Sequence, residues 1–464
     1  MKAQNTILEA IGHTPLVKLR RLVGPDDAEI YAKCEYLNPS GSVKDRMARY
    51  ILDRALESGE LREGGLIVEN TSGNTGAAVA LWAAVNGIRC IFTIPDKMSQ
   101  EKIDTLKGMG AEVVVCPTNV PADSPQSYYE TAKRIHRETP GSYYINQYHN
   151  KMNIEAHYHM TGAEIWQQTQ GEFDVYVAGL GTGGTMSGSG KYLKEKKPSI
   201  RNVGVDPIGS VYKALFETGK PSEPHVYKVE GIGEDMICGA MDMTVLDEIR
   251  QVDDRQSFLA ARRIAREEGL FAGGSSGSAV HVAVELAREL GKGKRIVVML
   301  PDGGKSYISK FYSDEWMYDN GFMVRPEGLG TVGDVLAHKS DKRLFTATRD
   351  ETLADAIARM REHDVSQLPV VNAAAEAVGM LHETDLLDAL LEGRASKGDK
   401  VERVAQGLRG TIGADATVAD LRAILGQKGL VAVVLDGVKK PIGLLTRIDL
   451  IEYLSRGDAT EAQR

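Results

Sequence analysis

From residue 66 the chain alternates short apolar runs with amphipathic stretches. LIVEN (66–70) leads through a glycine turn into GAAVALWAAVNG; IRCIFTIP follows, then KIDTLKGMG and AEVVVCP. FDVYVAGL, NVGVDP and RIVVMLPDGG continue the series. Val- and Ile-rich runs separated by helical stretches predict βαβ units around a parallel sheet. The pattern stops near FYSDEWMYDNGF, and RPEGLG then marks a linker expected at about 319–331. A large α/β domain over 1–318 is expected before it.

Beyond the linker the chain repeats itself. TLADAIARM from Thr352 is similar to TVADLRAIL from Thr417, and GMLHETDLLDAL from Gly379 matches GLLTRIDLIEYL from Gly443. Asp385 and Asp449 keep the register of the two threonines to within one residue. Each unit reads helix, strand, strand, helix. The duplication predicts two small α/β modules, 332–395 and 396–460.

Composition agrees with a multidomain globular chain: 464 residues, 42% hydrophobic, 26% charged. The net charge of −8 is spread without a basic block, which argues against nucleic acid as a partner. No apolar run is long enough to span a bilayer, and KAQNTILEAIG after Met1 lacks a signal-peptide core, so no membrane association is expected. Cys34, Cys90, Cys116 and Cys238 are scattered, as buried thiols in a reducing cytoplasm would be. His157 and His159 sit two apart on a predicted helix and face different sides, so no metal is expected.

The candidate chemistry begins at NPSGSVKDRM (38–47). Turn residues end one segment, and Ser42 can cap a helix carrying Lys44 in its first turn. The positive end of the helix dipole disfavours a charged amine there. A solvated surface lysine is the alternative that local context leaves open. Two glycine loops follow strands, ENTSGNTG (69–76) and AGLGTGGTMSGSG (178–190). In the second, Gly181, Thr182, Gly183, Gly184 and Thr185 form a candidate phosphate cradle. Gly179, Gly181 and Gly184 also satisfy G-x-G-x-x-G, with Asp206 where a ribose-binding acid would stand. An NAD-dependent oxidoreductase is therefore a competitor. Against it, the motif is not at the first βα turn, its threonines suit one phosphate monoester, and Lys44 would go unused.

A monophosphate, a helix-start lysine and a second polar loop together point to pyridoxal phosphate. GSVKDR, TSGNTG, GLGTGGT and GGSSGS occur in the order found in the pyridoxal-phosphate β-family, the cysteine synthase/cystathionine β-synthase group. The resemblance runs from about residue 5 to 318 and implies fold type II, tryptophan synthase β-like. The tail resembles a Bateman module, a tandem CBS pair. By this resemblance Lys44 is the Schiff-base lysine, Asn74 the partner of the ring 3′-oxygen and Ser275 the partner of the pyridine nitrogen. Gly181 to Thr185 are the phosphate loop. Thr71, Ser72, Thr75 and Gln147 hold the substrate carboxylate. A neutral Ser at the ring nitrogen implies a moderate electron sink, suited to β-elimination and replacement.

Two departures from the cysteine synthase pattern point toward the cystathionine-forming branch: Tyr148 after Asn146-Gln147, and Glu234-Asp235 in VEGIGEDM. The expected reaction joins L-serine to homocysteine, whose ammonium would suit acidic groups. Cysteine synthesis from O-acetylserine and sulfide is the runner-up. An idle nucleotide sensor is a third reading, opposed by intact Lys44, Asn74 and Ser275. Ile237-Cys238 stands where the family has Ile-Pro, and Thr6 to Leu16 already match the start of the catalytic core, so no haem is expected. In the tail, Thr446 and Asp449 resemble a ribose-reading pair, whereas Asp385 has His382 in place of the Thr. The flanking sequence lacks a dense Lys/Arg cluster, which favours S-adenosylmethionine over ATP. The resemblance further implies a homodimer or homotetramer.

Overall fold

The computed structural model describes residues 3–71, 73–96, 98, 100–121, 123–324, 329–427 and 431–455. The chain divides into two compact units, Met1–Phe322 and Met323–Arg464.

The first unit holds two sheets. In spatial order the larger runs Leu16–Lys18, Glu29–Cys34, Arg295–Leu300, Val175–Gly179, Arg201–Pro207, Glu248–Val252. Only its first pair is antiparallel. The smaller runs Glu112–Cys116, Arg89–Pro95, Leu66–Asn70, Ser142–Tyr144, and all its pairs are parallel. Leu66–Asn70 is buried at every position, its polar Glu69 and Asn70 included, as befits a strand in the interior of a parallel sheet. The interior strand Glu29–Cys34 and the edge strands Ser142–Tyr144 and Glu248–Val252 carry charged or polar side chains, and that broken apolar pattern does not mark them as strands.

The helix Lys44–Ser58 lies where the two halves meet. Val43, just before it, packs in the core around Tyr176 and Met299 of the larger sheet. Met47, Ala48, Ile51, Leu52 and Ala55 pack instead with Ala78, Val79 and Trp82 beside the smaller sheet. Its start is pinned by a buried ion cluster. Arg46 donates Nε and Nη2 to the two carboxylate oxygens of Glu35 at 2.7 Å each, and Nη1 and Nη2 to Glu164 at 2.8 and 3.0 Å. Lys33 also pairs with Glu164 and donates to the Thr14 carbonyl at 2.6 Å. Burial alone would raise the Glu35 carboxyl, but the Arg46 charge and hydrogen bonds hold it below its ordinary value.

The expected end of this domain at 318 falls short. Phe322 stacks edge-on against Phe258 at 5.2 Å and tilts over Trp316, while Met317 is fully buried. Residues 319–322 therefore belong to the catalytic unit, because an aromatic cluster holds them. Of the expected linker, 325–328 lie outside the described residues.

In the second unit both repeats keep the predicted helix, strand, strand, helix, preceded by a short strand (Ala347–Thr348, Thr411–Gly413). Their cores are not contiguous in sequence. Val332 and Val335 of the helix Val332–His338 pack with Ile412, Val418 and Leu445 of the second repeat. Conversely, Ala395, Val401 and Val404 pack with Leu353, Leu368 and Leu381 of the first. The modules drawn at 332–395 and 396–460 thus exchange their leading segments. The sequence repeat marks where elements recur and carries no record of which core their flanks bury into. Residues 456–460 lie outside the described residues. Among the described residues no helix is long and apolar enough to cross a membrane.

Removing the guanidinium would leave Glu35 buried without its main partner. Arg46→Met is expected to lower stability of the first unit by roughly 3–5 kcal/mol, read from the denaturant midpoint. Glu164 should add an acid limb. Burial would raise it, but Arg46 and Lys33 hold it down to about 2. A depressed carboxyl stabilises above its unfolded value of about 4.3 and loses that contribution as pH falls toward about 2. Glu164→Gln should flatten the stability curve in that window.

Candidate active site

Each sequence-selected loop of the first unit leaves the carboxyl end of a parallel strand, where open α/β sheets place their ligands. Asn74 follows Leu66–Asn70, the glycine cradle follows Val175–Gly179, and Lys44 is tethered to the end of Arg295–Leu300. That tether is the Val43 N–H donating to the Pro301 carbonyl at 2.8 Å. The Ser42 hydroxyl accepts from the Lys44 N–H at 3.2 Å, but Ser42 is not the N-cap expected from the sequence: that position falls to Val43, which is already in the right-handed helical region and has no capping side chain. Lys44 is half-buried. Burial lowers its pKa, and Glu234 and Asp302 partly oppose that.

Thr71, Thr75 and Gln147 converge at the start of the helix Asn74–Asn86. The Thr75 hydroxyl donates to Gln147 Oε1 at 2.7 Å, and Thr71 Oγ1 accepts from the Gly73 and Gly76 N–H groups at 3.1 Å each. Ser72 lies outside the described residues. Glu69 holds the facing turn by accepting the Asn146 N–H at 2.7 Å and the Gln147 N–H at 3.2 Å. Burial pushes the Glu69 carboxyl up to about 8. A helix N-terminus ringed by hydroxyls and an amide suits a carboxylate.

The cradle is closed by its neighbours. Gly183 has φ +94°, and a Cβ on Gly184 would run into the Asn153 amide. Asn153 donates to the Thr182 hydroxyl at 3.1 Å, which leaves the hydroxyl proton for another acceptor. Tyr212 donates to the Gly181 carbonyl at 2.9 Å. His157 Nε2 lies 3.3 Å from the Thr185 hydroxyl, and burial holds this imidazole well below its ordinary pKa, hence neutral. His159 instead stacks on Tyr50, so the two histidines face different surroundings. Asn153 and Tyr212 have no motif around them in the sequence, and His157 stands out there only as a metal candidate beside His159, not as a partner of the glycine loop.

Ser275, near the start of the helix Gly274–Leu290, is buried, with its hydroxyl 3.7 Å from where a Cβ on Gly231 would stand. Asn74 donates Nδ2 to Asp302 Oδ2 at 2.8 Å. Asp206, the ribose-acid candidate, accepts the Lys213 N–H at 3.0 Å and so caps the next helix.

Tyr148 is buried, its hydroxyl 3.4 Å from that of Tyr128 and its ring edge-on to Tyr129 at 5.6 Å. Burial raises Tyr148 well above its ordinary pKa, with Tyr128, Tyr129 and Glu234 adding to the effect, so the phenol stays protonated. Glu234 is half-buried and Asp235 exposed. The four cysteines are free and buried, and burial pushes Cys238 up to about 12. Tyr128 and Tyr129 carried no sequence motif; only the fold brings them to Tyr148.

The donor set fits pyridoxal phosphate. It offers an amine whose charge burial opposes, a helix N-terminus for a dianion, two threonine hydroxyls aligned by Asn153 and His157, and an amide and a hydroxyl for the ring. Fold and site together define a pyridoxal-phosphate-dependent enzyme joined to a tandem CBS module. A family model described as "Pyridoxal-phosphate dependent enzyme" matches residues 7–302, and one described as "CBS domain" matches 332–392 and 410–456. The chain is 40% identical to a cystathionine beta-synthase of Oryctolagus cuniculus, over 97% of this chain and 85% of that one. It is 38% identical to an O-acetylserine dependent cystathionine beta-synthase of Bacillus subtilis, over 66% of this chain and 96% of that one. The solved O-acetylserine dependent cystathionine beta-synthase of Helicobacter pylori superposes with TM-score 0.62 at 35% identity, covering 67% of this chain and 99% of that one. The chain belongs to the cystathionine β-synthase family of pyridoxal-phosphate-dependent lyases.

In the second unit, Asp449 Oδ2 accepts the Thr446 N–H and hydroxyl at 2.7 Å each and Lys339 Nζ at 3.1 Å. In the first repeat His382 caps the helix that carries Asp385 without a side-chain hydrogen bond, so the asymmetry seen in the sequence persists. A cavity of about 270 Å³ beside Thr446 is lined by Lys339, Lys342 and Arg343, offset by Asp341 and Asp364. The sequence reading saw no cation cluster here. Three cations lie together in the short segment after the helix Val332–His338, and folding brings that segment beside Thr446, with carboxylates that nearly balance it.

Lys44→Ala is expected to yield a folded protein without the visible absorption band of the wild type, and without turnover. A wild type that shows no such band after addition of pyridoxal phosphate would contradict the assignment.

Proposed function

We propose that this enzyme joins L-serine to L-homocysteine, releasing water and forming cystathionine, under control of an adenosyl ligand in the C-terminal module. The observation that supports this reading best is Glu234. It is half-buried, acts electrostatically on Lys44, and faces the Tyr128–Tyr129–Tyr148 cluster.

Bound pyridoxal phosphate supplies the electron sink that acidifies the substrate Cα–H. Lys44, Asn74, Ser275 and the loop Gly181–Thr185 would hold it. Thr71, Thr75 and Gln147 would grip the amino-acid carboxylate and fix the Cα–H toward Lys44. The Lys44 amine, its charge disfavoured by burial, takes that proton at Nζ. Protonated Tyr148 can donate to the departing β-hydroxyl. Glu234 then attracts the homocysteine ammonium and sets its thiol toward the β-carbon. Asp235 contributes at longer range. A homodimer or homotetramer belongs to the same reading.

O-acetylserine as first substrate is the second reading, favoured by the names of the Bacillus and Helicobacter relatives. Serine plus homocysteine, O-acetylserine plus homocysteine, and O-acetylserine plus sulfide, offered in parallel, separate the cases. Serine with homocysteine is expected to be fastest; sulfide exceeding homocysteine would point to a cysteine synthase.

For the module, we assign the ribose to Asp449, whose Oδ1 makes no hydrogen bond among the described residues. The near-balanced cavity suits S-adenosylmethionine better than a triphosphate.

Glu234→Gln is expected to slow cystathionine formation by about one to two decades, the cost of one charge-assisted hydrogen bond, while loss of hydroxyl from serine changes little. Equal loss of both would indicate a structural role. Calorimetry should find S-adenosylmethionine binding lost in Asp449→Ala and largely kept in Asp385→Ala; unchanged binding in Asp449→Ala, or binding of ATP alone, would overturn the ribose assignment.

A further inference from the structure

Asp302 follows the strand Arg295–Leu300 and is buried, yet no sequence motif marked it. Its Oδ2 accepts Asn74 Nδ2 at 2.8 Å and the Tyr307 hydroxyl at 2.6 Å. Its carbonyl accepts the Gly273 N–H at 2.9 Å, two residues before Ser275. Its backbone bridges to Ser42, two residues before Lys44. One residue therefore touches the segments of Lys44, Asn74 and Ser275 together.

We propose that Asp302 is a positioning residue that fixes the Asn74 amide so that its second N–H faces the 3′-oxygen of the cofactor ring. The proposal rests on the reading that Asn74 serves that oxygen. A side-chain amide can present either its oxygen or its nitrogen to a given direction, and the two orientations differ in which end reaches the ligand. An oxygen that already accepts a tyrosine proton can only accept from Asn74 too. That turns the amide nitrogen inward to Asp302 and commits one of its two hydrogens. The other hydrogen remains for the ring, where a phenolate-like oxygen is an acceptor.

A plain structural tie would account for these contacts less well. Asp302 Oδ1 is buried with no hydrogen-bond partner among the described residues. A buried carboxylate with an idle oxygen is costly, and an asparagine there could tie the same segments without a charge. The charge gains its use if it orients and polarises Asn74. Tyr307 shares the duty by donating to the same Oδ2, with Lys102 5.0 Å over its ring.

The test uses the full-length holoenzyme and reads the cofactor's absorption spectrum and its retention on dialysis. Asp302→Asn, which keeps shape but lets the Asn74 amide turn, should change the ratio of the long- and short-wavelength bands. It should weaken cofactor retention about ten- to hundredfold, as loss of a charge-assisted contact would. Unfolding of the cofactor-free protein should stay close to that of the wild type. Asn74→Ala should give an altered spectrum, and Asn74→Ala with Asp302→Asn should match Asn74→Ala alone, because one residue acts through the other. Additive changes, or a wild-type spectrum in Asp302→Asn beside an altered one in Asn74→Ala, would overturn the positioning role. A wild-type spectrum in Asn74→Ala would remove the reading of Asn74 itself, and the proposal with it. Tyr307→Phe, losing only a hydroxyl, should move the bands in the same direction by less; no movement overturns the proposal should Asp302→Asn fail to fold.

Discussion

The bidentate grip of Arg46 on Glu35 and Glu164 is the constraint on which the catalytic unit depends. Arg46 sits two residues after Lys44, so whatever fixes its guanidinium fixes the start of the Lys44–Ser58 helix. Charges this deeply buried are tolerable only when every lone pair and proton is used. Here Thr14, Lys33 and Gln168 complete the set. Such a cluster has one good geometry, and that geometry places the lysine amine between the two halves of the unit.

Around that point the parallel sheets do the rest. Parallel strands end on the same side, so loops far apart in sequence converge without needing contacts of their own. The first loop supplies a helix N-terminus for one anion and the second supplies another. Both loops thus use one backbone property, the free N–H groups at the start of a helix. Tyr148, Tyr128 and Glu234 then furnish a polar wall whose phenols stay protonated because they are shielded from water.

The tandem CBS unit follows a different logic. Two similar repeats share their cores by exchanging leading segments. Their ligand chemistry is unequal: Thr446 and Lys339 engage Asp449, whereas His382 leaves Asp385 without that support. A duplicated fold has kept its architecture and diverged at the helix caps.

Much of this was legible in the chain because it depends on local chemistry. Buried parallel strands draw on Val and Ile, and the turn after Val175–Gly179 needs Gly183 and Gly184 where side chains would collide. Those requirements are written residue by residue, so the sequence by itself determined the strands that carry the loops, the glycine turn after Val175–Gly179 and the place of Lys44 in the first turn of its helix. The exchange of segments between the repeats, the end of the catalytic unit at Phe322, and the parts played by Asp302, His157, Asn153, Tyr128 and Lys339 were decided only by the tertiary structure. Each of those is a single ordinary residue or flank whose partner lies far along the chain. A contact between two such residues leaves no periodicity and no spacing, and it exists only once the intervening chain has folded back.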